Sequence, residues 1–184
     1  MEEELLVKKA QDGDSQAFGQ IYDTYLTKIY RFVYIKVSSK ADAEDLTSQI
    51  FLSAWQNIKT FQFRGFSISS WLYRIAHNEV IDFYRLRRHH ENIDALSEET
   101  TAEISNITGE LDQNLEIEKV KKALKRLESD QQNVLIMKFV DELSNKEISQ
   151  VLNKSEGAVR VIQHRGLKQL KKYLDEPRNY TAVK

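Results

Sequence analysis

The chain has 184 residues, 41% of them hydrophobic and 30% charged, with one Pro, six Gly and no Cys. That describes a globular protein of one domain or two small ones, without disulfides, a thiol nucleophile or a cysteine zinc site. No apolar run approaches the roughly 18 residues of a membrane span, the acidic start MEEELLVKKA lacks a signal-peptide pattern, and a cytoplasmic address is expected.

So little Gly and Pro leaves few turns for sheets, and an all-α fold is expected. A short helix covers Glu3 to Ala10, and the break DGDSQ offers Asp14 as an N-cap. A second helix runs to about Val37, with Phe18, Ile21, Tyr22, Tyr25, Ile29, Phe32 and Val33 at core spacing. After SSKAD, a third helix spans about Ala41 to Asn57. Its polar side carries Asp45, Gln49, Leu52 and Gln56, and an apolar Leu52 in that setting suits a protein contact.

The loop IKTFQFRGFSI leads into a fourth helix that begins near Ser69 or Ser70. On a helical wheel Leu72, Ile75, Phe83 and Leu86 gather as a core face. Trp71, Arg74, Asn78, Asp82 and Arg85 form a second stripe. A core stripe has no use for those polar groups, nor a solvated one for the Trp, whereas unstacked bases suit both. Phe61, Phe63 and Phe66 around Arg64 and Gly65 could close a small domain or form a base-capturing loop.

Charge divides the chain. Residues 1–90 hold 12 Lys+Arg against 11 Asp+Glu, residues 91–118 hold nine acids and no Lys or Arg, and residues 119–184 hold 15 basic against eight acidic. The basic last block points to a polyanion partner, and residues 91–113 read as an acidic linker.

Beyond it, helices are expected at Leu115 to Leu127, Asp130 to Val140, Asn145 to Leu152 and Glu156 to about Leu174, with capping boxes at SDQQ (129–132) and SNKE (144–147). The last two helices, joined by a tight turn at Asn153 and capped by Ser155, fit a DNA-binding helix-turn-helix. In the second of them Val159, Ile162, Gly166 and Leu170 share an apolar side. The opposite side carries Gly157, Val161, His164, Arg165, Lys168, Lys171 and Lys172, with Arg160 at its edge.

Three stretches in this order, AEDLTSQIFLSAWQNI, FRGFSISSWLYRIAHNEVIDFYRLRR and LSNKEISQVLNKSEGAVRVIQHRGLKQLKKYL, resemble regions 2.2, 2.3–2.4 and 4.2 of the sigma-70 family, most closely its extracytoplasmic-function group. KKAQDGDSQAF at 8–18 resembles the group's opening. The resemblance covers about residues 8–90 and 115–174. It implies two small helical domains, a four-helix region 2 domain (1–90) and a helix-turn-helix region 4 domain (114–176), joined by an acidic linker (91–113) and followed by a tail (177–184). Such a protein is a promoter-specificity subunit of RNA polymerase, not an enzyme, and uses no cofactor or metal.

The resemblance also implies roles for residues. Phe63, Arg64, Gly65 and Phe66 form the loop that accepts a flipped base, and Trp71, Arg74, Asn78, Asp82 and Arg85 hold the minus-ten strand. Glu156, Gly157, Arg160, His164, Arg165 and Lys168 fall on the minus-thirty-five recognition helix. Asp45, Ser48, Gln49 and Leu52 fall on the surface that grips the clamp helices of the largest core subunit. Region 4 is expected to touch the flap of the second-largest subunit, and the linker to pass near the RNA exit path. An anti-sigma factor is usual in the group, and no membrane insertion is expected. Three positions depart from the family pattern: Ser48 where Gln is frequent, Phe66 where an acidic or polar residue is common, and Gly166 where Ala is usual. The alternative is a two-domain helix-turn-helix regulator that never joins polymerase. An enzyme with a metal at His77, or at His89 and His90 with Glu91, is poorly served, because adjacent His side chains on a helix point about 100° apart.

Overall fold

A computed structural model describes residues 2–63, 65–93 and 111–176. Arg64, most of the expected linker (94–110) and the tail (177–184) lie outside the described residues, as do the side chains of 88–93 and 111–115.

The described residues are helical. The first unit contains α1 (Glu2–Gln11), α2 (Ser15–Val37), α3 (Lys40–Asn57), a 3-10 turn (Ile58–Thr60) and α4 (Ile68–Ile93). Asp14 caps α2 by accepting from the Gln16 and Ala17 amides, and Ser39 caps α3 through the Asp42 amide. Ser38, at φ 65°, takes the left-handed conformation that ends α2. Ile21, Ile29, Phe32 and Val33 of α2 are buried, whereas Tyr22 sits at the rim, edge-on to Phe51 at 4.7 Å. The Gln11 amide donates to the Ile58 and Phe61 carbonyls at 3.0 and 2.8 Å, which ties α1 to the turn before the aromatic loop.

The second unit contains α5 (Leu111–Lys125), α6 (Ser129–Leu135), a π-helical turn (Ile136–Val140), α7 (Asn145–Leu152) and α8 (Glu156–Asp175). Two expectations need correction here. SDQQ forms no capping box: Glu128 stands at the N-cap without a side-chain bond, and Gln132 is drawn away to a partner on α2. The helix expected over 130–140 widens at its end, where the Asp141 amide bonds back five residues to Ile136. SNKE does form its box, with Ser144 and Glu147 bonding reciprocally. Asn153, at φ 52°, takes the left-handed turn, and Ser155 caps α8 through the Ala158 amide.

The expected linker is shorter at both ends, because 91–93 continue α4 and 111–113 begin α5. The two units are not separate bodies: one apolar cluster runs from Val7 and Phe32 through Tyr73 to Met137, Ile148 and Val159. A smaller cluster of Leu124, Leu127 and Leu135 closes the far end, with Leu170 and Tyr173 against it.

Candidate nucleic-acid interface

α4 and its preceding loop form one aromatic group. Phe61, 5% exposed, meets Phe63 at 4.8 Å and Trp71 at 5.3 Å between ring centroids. Phe61 is therefore the ring that closes the small domain, and Phe63 and Trp71 lean half-buried on it. Phe66 alone of the three loop phenylalanines stands out, at 40% exposed. Gly65 has φ 78°, a conformation that a side chain rarely adopts, and this turns the chain so that Phe66 can project. Ser67 starts α4 by accepting from the Ser70 amide at 3.0 Å. The helix thus begins at Ile68, slightly before its expected start.

Along α4 the polar stripe is present. Arg74, Asn78 and Arg85 are exposed, and Asp82 pairs with Arg85 at 3.0 Å. The expected core face is only half right. Leu72 is fully buried and Ile75 packs against the core, but Leu86 is 58% exposed. Beside Leu72 the fully buried positions are Tyr73, Ala76 and Val80, because α4 packs against α2 and α3 and is covered by α7 as well, with Tyr73 edge-on to Phe32 of α2. A wheel drawn for one isolated domain gives no sign of that cover.

α8 presents the other surface. Val159 and Gly166 are buried, with Ile162 packed on the core. Glu156, Gly157, Arg160, His164, Arg165, Lys168, Lys171 and Lys172 are exposed, and Arg160 pairs with Glu156 at 3.4 Å. One helix thus has an apolar side on its own domain and a basic side turned outward, presented by a short capped helix and a tight turn. That geometry fits a major groove lined by phosphate. On α3, Asp45, Ser48, Gln49 and Leu52 lie on one exposed face, with Leu52 at 55%. Buried Ala43, Thr47, Ile50 and Ala54 hold the opposite face.

The residues that sequence reasoning missed lie between the units. Lys36 donates to Gln132 and Asn133, Arg31 lies 3.7 Å from the buried Asp141, and Glu147 and Gln150 of α7 reach the loop. Burial lowers the Lys36 ammonium to about 8 and raises the Asp141 carboxyl to about 7. His77 is lowered, first by burial and then by Lys36. Among the described residues no cluster of His, Asp or Glu could hold a metal, and no helix is long and apolar enough to cross a membrane.

Comparison with known proteins accounts for this arrangement. Residues 21–90 match the family model Sigma-70 region 2, and residues 117–170 match Sigma-70, region 4. The ECF RNA polymerase sigma factor SigW of Bacillus subtilis is 33% identical, over 91% of this chain and 94% of that one. The ECF RNA polymerase sigma factor BldN of Streptomyces coelicolor is 36% identical over 93% of this chain, which spans 65% of BldN's length. Among solved structures, RpoE of Bartonella quintana, crystallised with the anti-sigma factor NepR, superposes with a TM-score of 0.71 at 25% identity, covering 88% of this chain and 98% of that one. CnrH, solved with the cytosolic domain of CnrY, shares the fold, with a TM-score of 0.74 at 23% identity, covering 94% of this chain and 97% of that one. Both halves of the chain, in order and over nearly the whole of SigW, carry the two sigma regions, and the chain belongs to the extracytoplasmic-function group of the sigma-70 family of RNA polymerase sigma factors.

Proposed function

We propose that this chain directs core RNA polymerase to specific promoters. It reads the minus-thirty-five element as duplex through α8 and the minus-ten element as a melted strand through loop 63–66 and α4. The carrying observation is the outward basic face of α8, set on a helix-turn-helix whose caps and left-handed Asn153 are all formed. Arg160, His164, Arg165 and Lys168 contact bases and phosphates there, near Glu156 and Gly157 at the helix start. Phe63, Arg64, Gly65 and Phe66 receive a flipped base. Trp71, Arg74, Asn78, Asp82 and Arg85 hold the strand beside it.

Asp45, Ser48, Gln49 and Leu52 bind the clamp helices of the largest core subunit, and region 4 touches the flap of the second-largest. An anti-sigma factor is the expected inhibitory partner, and the similar RpoE was crystallised in complex with the anti-sigma factor NepR. The chain works where polymerase and promoters are, in the cytoplasm, and brings no active site of its own. Either module alone binds weakly, and core enzyme that spaces the two supplies the effective concentration.

Run-off transcription on genomic fragments with core enzyme tests this, and addition of the chain is expected to create promoter-specific transcripts. Full transcription from the same promoters without it would overturn the reading. A pulldown that recovers no core subunits would favour a helix-turn-helix regulator that acts apart from polymerase.

A further inference from the structure

The outward line of α8 departs from a plain basic face at two places. At helical spacing Gly157, Val161, His164 and Lys168 follow one another along the side opposite the buried Val159 and Gly166, and all four are exposed. Arg160 and Arg165 flank that line. Val161 is 48% exposed within it, an apolar side chain among cationic and hydrogen-bonding ones. The other large apolar residue exposed on this helix, Leu167, stands at the border of the packed side. One exposed valine is ordinary on a protein surface. Its neighbour one turn earlier is not.

Gly157 lies in the first turn of α8, and glycine is a poor helix former. Nothing inside the protein calls for it. A Cβ built there meets only Ser155 Oγ, at 3.9 Å, and its φ is not positive. Gly166 on the same helix differs, because a Cβ there would meet Gln131 and Leu135 at 3.3 Å. The space at Gly157 therefore opens outward, beside Val161.

A major groove has a use for this pair. Base edges present hydrogen-bond donors and acceptors there, together with one apolar group, the C5 methyl of thymine. A valine side chain is short, so its methyls reach a base edge only where the backbone comes close. Recognition helices meet the bases through their N-terminal residues, and the missing side chain at 157 removes the group that would hold the first turn away. The flanking cations attract phosphate, whereas Val161 has no charge to offer and can act only at a base.

We propose that Gly157 and Val161 form a notch that receives a thymine methyl, which makes Val161 a sequence-reading residue for the minus-thirty-five element. A cytosine at that position would leave the valine against a C5 edge without a methyl. The proposal rests on the promoter reading and extends it to a single base.

The test uses holoenzyme assembled from core polymerase and the full chain, on a promoter recovered by run-off transcription of genomic fragments. Each thymine of the upstream element is replaced singly by deoxyuridine, which lacks only the C5 methyl, and binding is read by anisotropy of the labelled duplex. One replacement is expected to weaken binding about fourfold, the contribution of one buried methyl. Val161→Ala is expected to bind the thymine promoter about fourfold more weakly than the parent and to make the thymine and deoxyuridine promoters equal at that position. An upstream element without thymine, no deoxyuridine effect at any position, or an effect that persists in full in Val161→Ala overturns the notch. Loss of core subunits from a Val161→Ala pulldown assigns the valine to a protein contact and overturns it as well. Gly157→Ala is the second variant. It is expected to unfold at higher urea than the parent yet to bind the thymine promoter about tenfold more weakly, as for an overpacked contact. Parental binding by Gly157→Ala overturns the close approach. A parent chain that yields no promoter-specific transcript ends the promoter reading and this proposal together, whereas one that transcribes but ignores the methyl ends this proposal alone.

Discussion

A Cβ built at Gly166 would lie 3.3 Å from Gln131 Cβ and from two carbons of Leu135, which is itself only 2% exposed. The glycine lets α8 approach α6 more closely than an alanine would. Gly166→Ala gains about 1 kcal/mol of helix propensity but must move a buried leucine, so its unfolding midpoint in urea is expected to stay near that of the parent. Gly166→Val, with more to fit, is expected to lose about 1–3 kcal/mol. A gain of the full propensity increment by the alanine variant would show that the close approach does not matter. Trp71 and Asn78 behave differently although both lie on the stripe proposed to hold the strand. Trp71 leans on Phe61, so its removal also costs packing, whereas Asn78 is exposed. Asn78→Ala is therefore the cleaner probe. It is expected to slow promoter opening, read by permanganate footprinting, while leaving upstream duplex binding unchanged. Equal loss of both would end the proposed division of labour.

α8 depends on its cap for position and on its exposed face for binding. Ser155 accepts from the Ala158 amide at 3.1 Å, so Ser155→Ala is expected to cost about 1 kcal/mol of stability in denaturant unfolding. Lys168, exposed on the basic face of α8, is a phosphate contact in the proposed complex. Lys168→Ala is expected to weaken binding of a minus-thirty-five duplex about equally across sequences and to lower the log–log salt slope by about one. A change in sequence preference would assign Lys168 to base readout instead. The helices themselves were legible because caps and periodicity are local. Asp14, Ser144, Asn153 and Ser155 act within a few residues of where they stand in the chain. SDQQ misled because the same local pattern lost Gln132 to Lys36, a residue 96 positions away.

For the whole molecule, the seam between the domains carries a titratable group. Burial raises the Asp141 carboxyl to about 7, against the Tyr73 hydroxyl beside it and the charges of Arg31 and Lys28 on α2, which pull it down. In the unfolded chain it returns toward the ordinary carboxylate value of about 4. The folded form then binds the extra proton between these values. The contribution of this group to stability is greatest at low pH and falls as pH rises toward 7, with no further loss above that. The urea midpoint is accordingly expected to carry a component that falls from pH 5 to 7.5, and Asp141→Asn is expected to remove that component. An unchanged pH profile in Asp141→Asn would remove Asp141 as its source.

The sequence by itself determined the helices, the order of the two regions, the outward basic face of α8 and the exposed face of α3. Those follow from periodicity, capping and charge, which act over a few residues. Only the tertiary structure decided which face of α4 is free. Leu86 reads as core yet is exposed, and Tyr73 carries a polar hydroxyl yet is fully buried. Tyr73 is packed edge-on against Phe32 of α2, and α7, more than 50 residues beyond the end of α4, covers another side of that helix and bonds to its loop. A pattern read along one helix records its spacing but not which distant element will lie against it.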